Sequence, residues 1–232
     1  MALPSTLTVS WTVEGGTTLR LQQLLAQLGY LPVTFVPAAP AIVTPHAVPL
    51  GAASLTPQVG NFMWRFANAP AELQALWQPG ADSVVMTGAV MSFQSDHGMR
   101  TDGNVSAQLW GAVLQAASTG QNASNPYSYA LVTKSSPETL TVWQNGGIAF
   151  TSRANTGIPG SPTPNGTWPV YERFRVTTMS GTNPDGSHYS DPGVPWVSYF
   201  HGGDALHGFS RGSYGSPQSL GCVELPYDAA AT

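Results

Sequence analysis

The chain has 232 residues, 42% of them apolar and only 9% charged, with 8 Lys and Arg against 12 Asp and Glu for a net charge of −4. That length carries one large or two small domains with real cores. The acidic balance, with Lys134 the single lysine, excludes the basic footprint of a nucleic-acid-binding protein, and no apolar run approaches the length of a membrane span.

Glycine (25) and proline (20) are abundant, beside many Ser, Thr and Asn. This composition suits a loop-rich β protein working outside the cytoplasm. Met1 to Ser10 lacks the basic start and apolar core of a secretory signal, so an exported form is expected to have lost its leader. With few ionisable groups, the chain is expected to tolerate acid. The single cysteine, Cys222, cannot form an internal disulfide, and a free thiol in such a protein is a candidate reactive group.

Taken in order, Thr6–Val13 alternates apolar and polar residues and reads as a short strand. Leu19–Leu28 is an amphipathic helix, with Leu21, Leu24, Leu25 and Leu28 at helical spacing and Gly29 placed to end it. Val33–Thr56 is Pro- and Ala-rich without a helical period and reads as an extended loop or insertion. Pro70–Gln78 reads as a short helix facing inward through Leu73, Leu76 and Trp77. A third helix is expected over Thr87–His97, with Thr87 as its N-cap and Val90, Met91 and Phe93 in the core. A fourth begins after Ser106 and carries Leu109, Trp110, Val113 and Leu114. A small helical bundle accounts for every apolar position. Ser118–Pro126 is polar and Gly/Asn/Ser-rich and reads as a linker.

From Tyr127 the period changes to two. Strands are expected over residues 127–136, 139–145, 148–157 and 169–179, with turns at Asn145-Gly146-Gly147 and Asp185-Gly186. Several short strands with such punctuation argue for a mostly-β domain. The whole is therefore a two-domain α+β chain, divided at 1–120 and 121–232.

The stretch Trp196–Pro226 carries the chemistry. Cys222 follows Gly221 and Ser219, and His207-Gly208 lies upstream of it. A thiol attacks a carbonyl as thiolate, so it needs a base for its proton and donors for the oxyanion. His207 is the candidate base, and the Gly221 and Cys222 N–H groups are the candidate donors. Ser219 is a site or turn residue. His201 and Tyr199 are candidate pocket residues, with Trp196 and Phe200 beside or beneath the substrate. No Cys/His spacing matches a zinc motif, and His46, His97 and His188 are scattered singly. A lone cysteine is also, commonly, a small buried hydrophobe.

ALHG, a Gly/Ser/Pro-rich loop and then S-x-G-C-V-x-L-P resemble the signature of the L,D-transpeptidase catalytic domain (YkuD-like). The hairpin L-x-V-W-x-N-G and the run T-G-x-P-x-x-P-T-P-x-G-x-W extend the resemblance from Tyr129 onward. Leu220 stands where the family often has His, and Glu224 where it usually has Arg. The family's terminal strand after the cysteine is expected to be missing here, or to be replaced by a segment such as Thr6–Val13. Upstream, LQQLLAQLGYLP and GAVMSFQSDHGMRTDGNVSAQLWGAVL resemble the peptidoglycan-binding type 1 domain, interrupted by a long segment over residues 33–85.

The resemblance implies a cysteine L,D-transpeptidase acting on peptidoglycan stem peptides, without a cofactor. Cys222 attacks the carbonyl preceding a D-Ala, D-Ala leaves, and an amine of a second stem resolves the thioester into a 3→3 cross-link or wall attachment. His207 acts as base, and the Gly208 carbonyl orients its ring. Water as acceptor would give an L,D-carboxypeptidase. The alternative class is a catalytically degenerate wall-binding protein, with glycan as a further partner of the N-terminal half. Either reading places the protein outside the cytoplasm. A papain-like peptidase would place Cys before His, the reverse of the order here.

Overall fold

The computed structural model describes residues 15–38 and 55–232. The strand expected at Thr6–Val13 and residues 39–54 of the expected loop lie outside the described residues.

Helix α1 (Thr18–Gln27) begins where the Thr17 hydroxyl accepts from Arg20 N–H at 3.2 Å. Its leucines, Leu21, Leu24 and Leu25, form one buried face with Leu28. Strand β1 (Val33–Pro37) follows and pairs antiparallel with β2 (Gly60–Trp64), Val33 opposite Trp64 and Pro37 opposite Gly60. This corrects the loop expected from Val33. The β-branched, aromatic run VTFVP forms a strand because β2 supplies the pairing that proline content alone did not forecast. The short helix α2 (Ala71–Ala75) buries Leu73 completely.

Helix α3 spans Val84–Asp96 and is capped by Ser83, whose hydroxyl accepts from Met86 N–H at 3.3 Å. The expected cap, Thr87, lies inside the helix, and its hydroxyl donates back to the Ser83 carbonyl. The earlier start lets Val85 and Met86 join the core. Helix α4 (Ala107–Thr119) is capped by Ser106 as expected and buries Leu109, Trp110 and Val113. The described N-terminal half is therefore four helices with a two-stranded sheet, not the helical bundle anticipated.

The segment after α4 is held down. Ala123 N–H donates to the Leu28 carbonyl at 2.8 Å, and Ser124 and Asn125 donate to Asp96. The expected linker is thus a packed connection, because α4 runs on to Thr119 and the remaining residues are tied to α1 and α3.

The C-terminal half is mostly β. Strands β3 (Ser128–Thr133), β4 (Thr139–Gln144) and β5 (Gly147–Arg153) form an antiparallel sheet closed by the Asn145–Gly146 turn. Strands β6 (Glu172–Thr182), β7 (His188–His201), β8 (Asp204–Gly208) and β9 (Val223–Leu225) form a second sheet in that order. β6, β7 and β8 are antiparallel, while β9 runs parallel to β8. The helical turn α5 (Tyr227–Ala230) follows β9.

The first sheet is two-faced. Leu140 packs with Leu206, Val223 and Leu225 of the second sheet. Trp143 points the other way and joins the N-terminal core, edge-on to Phe66 at 5.4 Å. One strand thereby sews the helical half to the sheet that carries the cysteine.

Candidate active site

Register places the expected pair together. Leu206 is paired with Val223 and His207 with Glu224, which brings Ala205 level with Cys222. Side chains alternate across a sheet, so Ala205, His207, Cys222 and Glu224 share one face. Packing agrees: Cys222 touches the cluster containing Ala205 and Val197, while Leu206, Val223 and Leu225 lie in the cluster on the opposite face. A cysteine and a histidine far apart in the chain become neighbours through a parallel pairing only three residues long.

The turn before Cys222 is fixed by several groups. Gly221 has φ +118°, and a Cβ there would sit 2.2 Å from Asp204 Oδ1, so only glycine fits. Ser219 is buried; its hydroxyl donates to the Cys222 carbonyl at 2.6 Å and accepts from Gly221 N–H at 3.3 Å. The Gly221 N–H, expected to face an oxyanion, is therefore committed within the turn, because the Ser219 hydroxyl captures it first. From outside, Ser161 Oγ donates to the Leu220 carbonyl at 3.0 Å, and the Gln218 and Ser219 N–H groups donate to the Thr156 carbonyl. Thr156 is held by the buried Glu138, whose two carboxylate oxygens accept from its N–H and hydroxyl, each at 2.7 Å. The T-G-x-P run read in the sequence is the wall against which the cysteine turn is built.

His207 is 4% exposed, and its Nδ1 lies 3.1 Å from the Gly208 carbonyl. A carbonyl only accepts, so Nδ1 carries the hydrogen and Nε2 keeps its lone pair. Burial holds the imidazole pKa below its usual value, against smaller opposing effects of that hydrogen bond and of Glu224. Cys222 lines a cavity of about 230 Å³ with Met179, Tyr189, Tyr199, Asp204 and Leu220. Burial, with Asp204 and Glu224 adding to it, pushes the thiol up to about 12. A hydrogen bond from the Ala205 backbone works against that rise, and the sulfur lies 4.0 Å from the Gly203 carbonyl. Both shifts favour the uncharged forms of the thiol and the imidazole.

Glu224, the departure from the family pattern, is 4% exposed and faces the same side as His207. It is not an unpaired charge. Arg211 Nε and Nη2 each donate to it at 2.7 Å, and Nη2 also reaches the Gln218 carbonyl at 3.2 Å. Its counter-charge is supplied by the loop between β8 and the cysteine. The fork geometry of guanidinium and carboxylate makes the pair strong.

The other expected residues separate. Tyr199 lines the cavity. His201 ends β7 and reaches the cavity only through Asp204, with Nδ1 at 3.6 Å from Asp204 Oδ2 and its ring 4.8 Å from that of Trp168. Phe200 packs on the opposite face with the Leu140 cluster, and Trp196 lies under the Arg175 guanidinium. Those two were expected near substrate because the run is aromatic, but strand alternation divides it. Sequence reasoning missed Asp204, Arg211, Tyr189 and Met179. Asp204 had a signal, an acid set between Gly203 and the A-L-H-G motif. Tyr189 and Met179 lie on strands far from any motif.

The site thus brings together a thiol in an open cavity, an imidazole on the same sheet face and a rigid glycine turn. Residues 127–232 match the family model of the L,D-transpeptidase catalytic domain (YkuD). Among solved structures, the chain is similar to the LD transpeptidase LdtMt1 in complex with imipenem (24% identity, 46% of this chain and 53% of that one, TM-score 0.41). It is also similar to an L,D-transpeptidase from Mycobacterium smegmatis (26%, 46% and 52%, TM-score 0.40) and to the catalytic domain of the E. faecium L,D-transpeptidase (25%, 45% and 85%, TM-score 0.40). The chain spans about half the length of the first two. No curated protein matches it.

Proposed function

We propose that the protein is a cysteine L,D-transpeptidase that acts on peptidoglycan stem peptides outside the cytoplasm. The carrying observation is the placement of Cys222 in an open cavity with His207 one strand away on the same face, within residues that match the L,D-transpeptidase family model. The imidazole has a free Nε2 lone pair and is kept neutral by burial. It takes the thiol proton as sulfur attacks the carbonyl ahead of D-Ala, then returns it to the departing amine. D-Ala leaves and a thioester remains. An amine of a second stem attacks that thioester and forms the new amide, releasing the thiol. Gly208 orients the ring through its carbonyl. The Cys222 N–H supports the oxyanion, and the committed Gly221 N–H contributes by fixing the turn.

The Arg211 pairing supports an active site over a degenerate one, because it neutralises the carboxylate that would otherwise oppose a thiolate on that face. Two measurements test the reading. Mass spectrometry after incubation with imipenem should show one adduct on Cys222, absent in Cys222→Ala. Incubation with a muropeptide tetrapeptide should release D-Ala and, when an acceptor stem is added, give a cross-linked dimer. Retained binding to sacculi with neither adduct nor D-Ala release would instead make this a wall-binding protein.

A further inference from the structure

Asp204 sits where its charge is unfavourable for a cysteine enzyme. It lines the thiol cavity and abuts Gly221, the residue before the nucleophile. Its negative charge opposes formation of the thiolate and of the oxyanion that follows. Its one polar partner among the described residues is His201 Nδ1 at 3.6 Å, too long for a good hydrogen bond. A partly buried carboxylate with unfilled acceptor positions, facing a cavity also lined by Tyr189 and Tyr199, is a receptor for a cation. The carboxylate supplies charge and hydrogen-bond acceptors, and tyrosine faces attract ammonium groups.

On the reading that Cys222 forms a thioester, we infer that Asp204, braced by His201, is the binding site for the acceptor's ammonium group and takes its first proton. A primary alkyl amine has a pKa of about 10 and arrives protonated, without a lone pair to attack with. Bound against Asp204, it is held beside the thioester. Transfer of one proton to the carboxylate leaves R–NH2. Its lone pair attacks the thioester carbonyl, and the C–N bond forms as the C–S bond breaks. The second proton passes from nitrogen, through His207, to the departing sulfur, restoring the thiol. Asp204 then gives its proton to solvent. Burial holds the Asp204 carboxyl above its usual pKa, which helps it accept that proton. The bound cation also cancels the charge that burdens the site, so the pocket favours an amine over water as acceptor.

Asp204→Asn keeps the shape and removes the charge. Two half-reactions separate the effects: the rate of imipenem adduct formation on Cys222, and the ratio of amide to hydrolysed product when a tetrapeptide donor is offered Nα-acetyl-lysine amide. In D204N, acylation should become faster, because a negative charge has left the thiol's surroundings, while the amide-to-acid ratio should fall at least tenfold. Structural damage would lower both. In the wild type, the Nε-trimethyl analogue of the acceptor, a cation that cannot attack, should compete with the amine; this comparison holds even if D204N does not fold. An unchanged product ratio in a D204N enzyme that still acylates would overturn the inference, as would failure of the trimethyl analogue to compete, and the transferase reading would stand. Absence of acylation in the wild type would remove both.

Discussion

At the scale of single residues, the site is built to keep its charges latent. A thiol pushed up to about 12 and an imidazole held below its usual value both favour their neutral forms, so on the proposed function the thiolate forms as the reaction proceeds. Alkylation of Cys222 by iodoacetamide should therefore rise roughly tenfold per pH unit from 7 to 10, since thiolate fraction scales this way below the pKa. A plateau near pH 7 would mean a preformed ion pair. His207→Gln should slow imipenem acylation by about 10²–10⁴, the usual range for a positioned base. The Arg211–Glu224 pair makes a separate prediction. Glu224 is nearly enclosed while Arg211 keeps 30% of its side chain exposed, so Arg211→Ala should cost about 2–3 kcal/mol, somewhat less than for a fully buried pair. Urea unfolding measures this, and Glu224→Gln in the same background should recover part of the loss.

At the scale of elements, the cysteine turn behaves as one unit with the 155–163 segment. Ser219→Ala removes a donor to the Cys222 carbonyl and the acceptor of Gly221 N–H. It should lower stability by about 1–2 kcal/mol and reduce the acylation rate as well, because the freed turn no longer aims the sulfur. Much of this architecture was legible beforehand. Leucine spacing located α1, Ser106 marked the start of α4, and the shift to a period of two at Tyr127 marked the sheets. The motif order brought His207 and Cys222 forward. Other features were out of reach for physical reasons. The Val33–Pro37 strand depends on a partner more than twenty residues away. The cap at Ser83 prevailed over Thr87 through the burial of Val85 and Met86, a tertiary gain that a local cap rule does not weigh. The compensation of Glu224 by Arg211 crosses a loop whose path no spacing rule fixes.

At the scale of the whole molecule, Trp143 is the bolt. It is 4% exposed and belongs to the core of the helical half although it is carried by a strand of the other. Trp143→Ala should cost about 3–5 kcal/mol and divide a single calorimetric transition into two. The buried imidazole adds a pH dependence. His207 takes up a proton less readily folded than unfolded, so its contribution is complete above the unfolded value of about 6.5 and fades as pH falls below it. Thermal midpoints should drop from pH 7 to pH 5, and His207→Gln should flatten that slope. The low content of ionisable groups limits the number of such sites but does not remove this one.

The brevity of β9 has a kinetic consequence. The strand that follows the sulfur is only three residues long, clipped between Asp204–Gly208 on one side and the Asn155 backbone on the other. Such a strand can detach without the rest of the fold unravelling. Amide deuterium uptake at Val223–Leu225 and capture of the thiol by a reagent too bulky for the cavity should then share one opening equilibrium. A small molecule wedged beneath that strip would silence the protein without ever meeting the substrate.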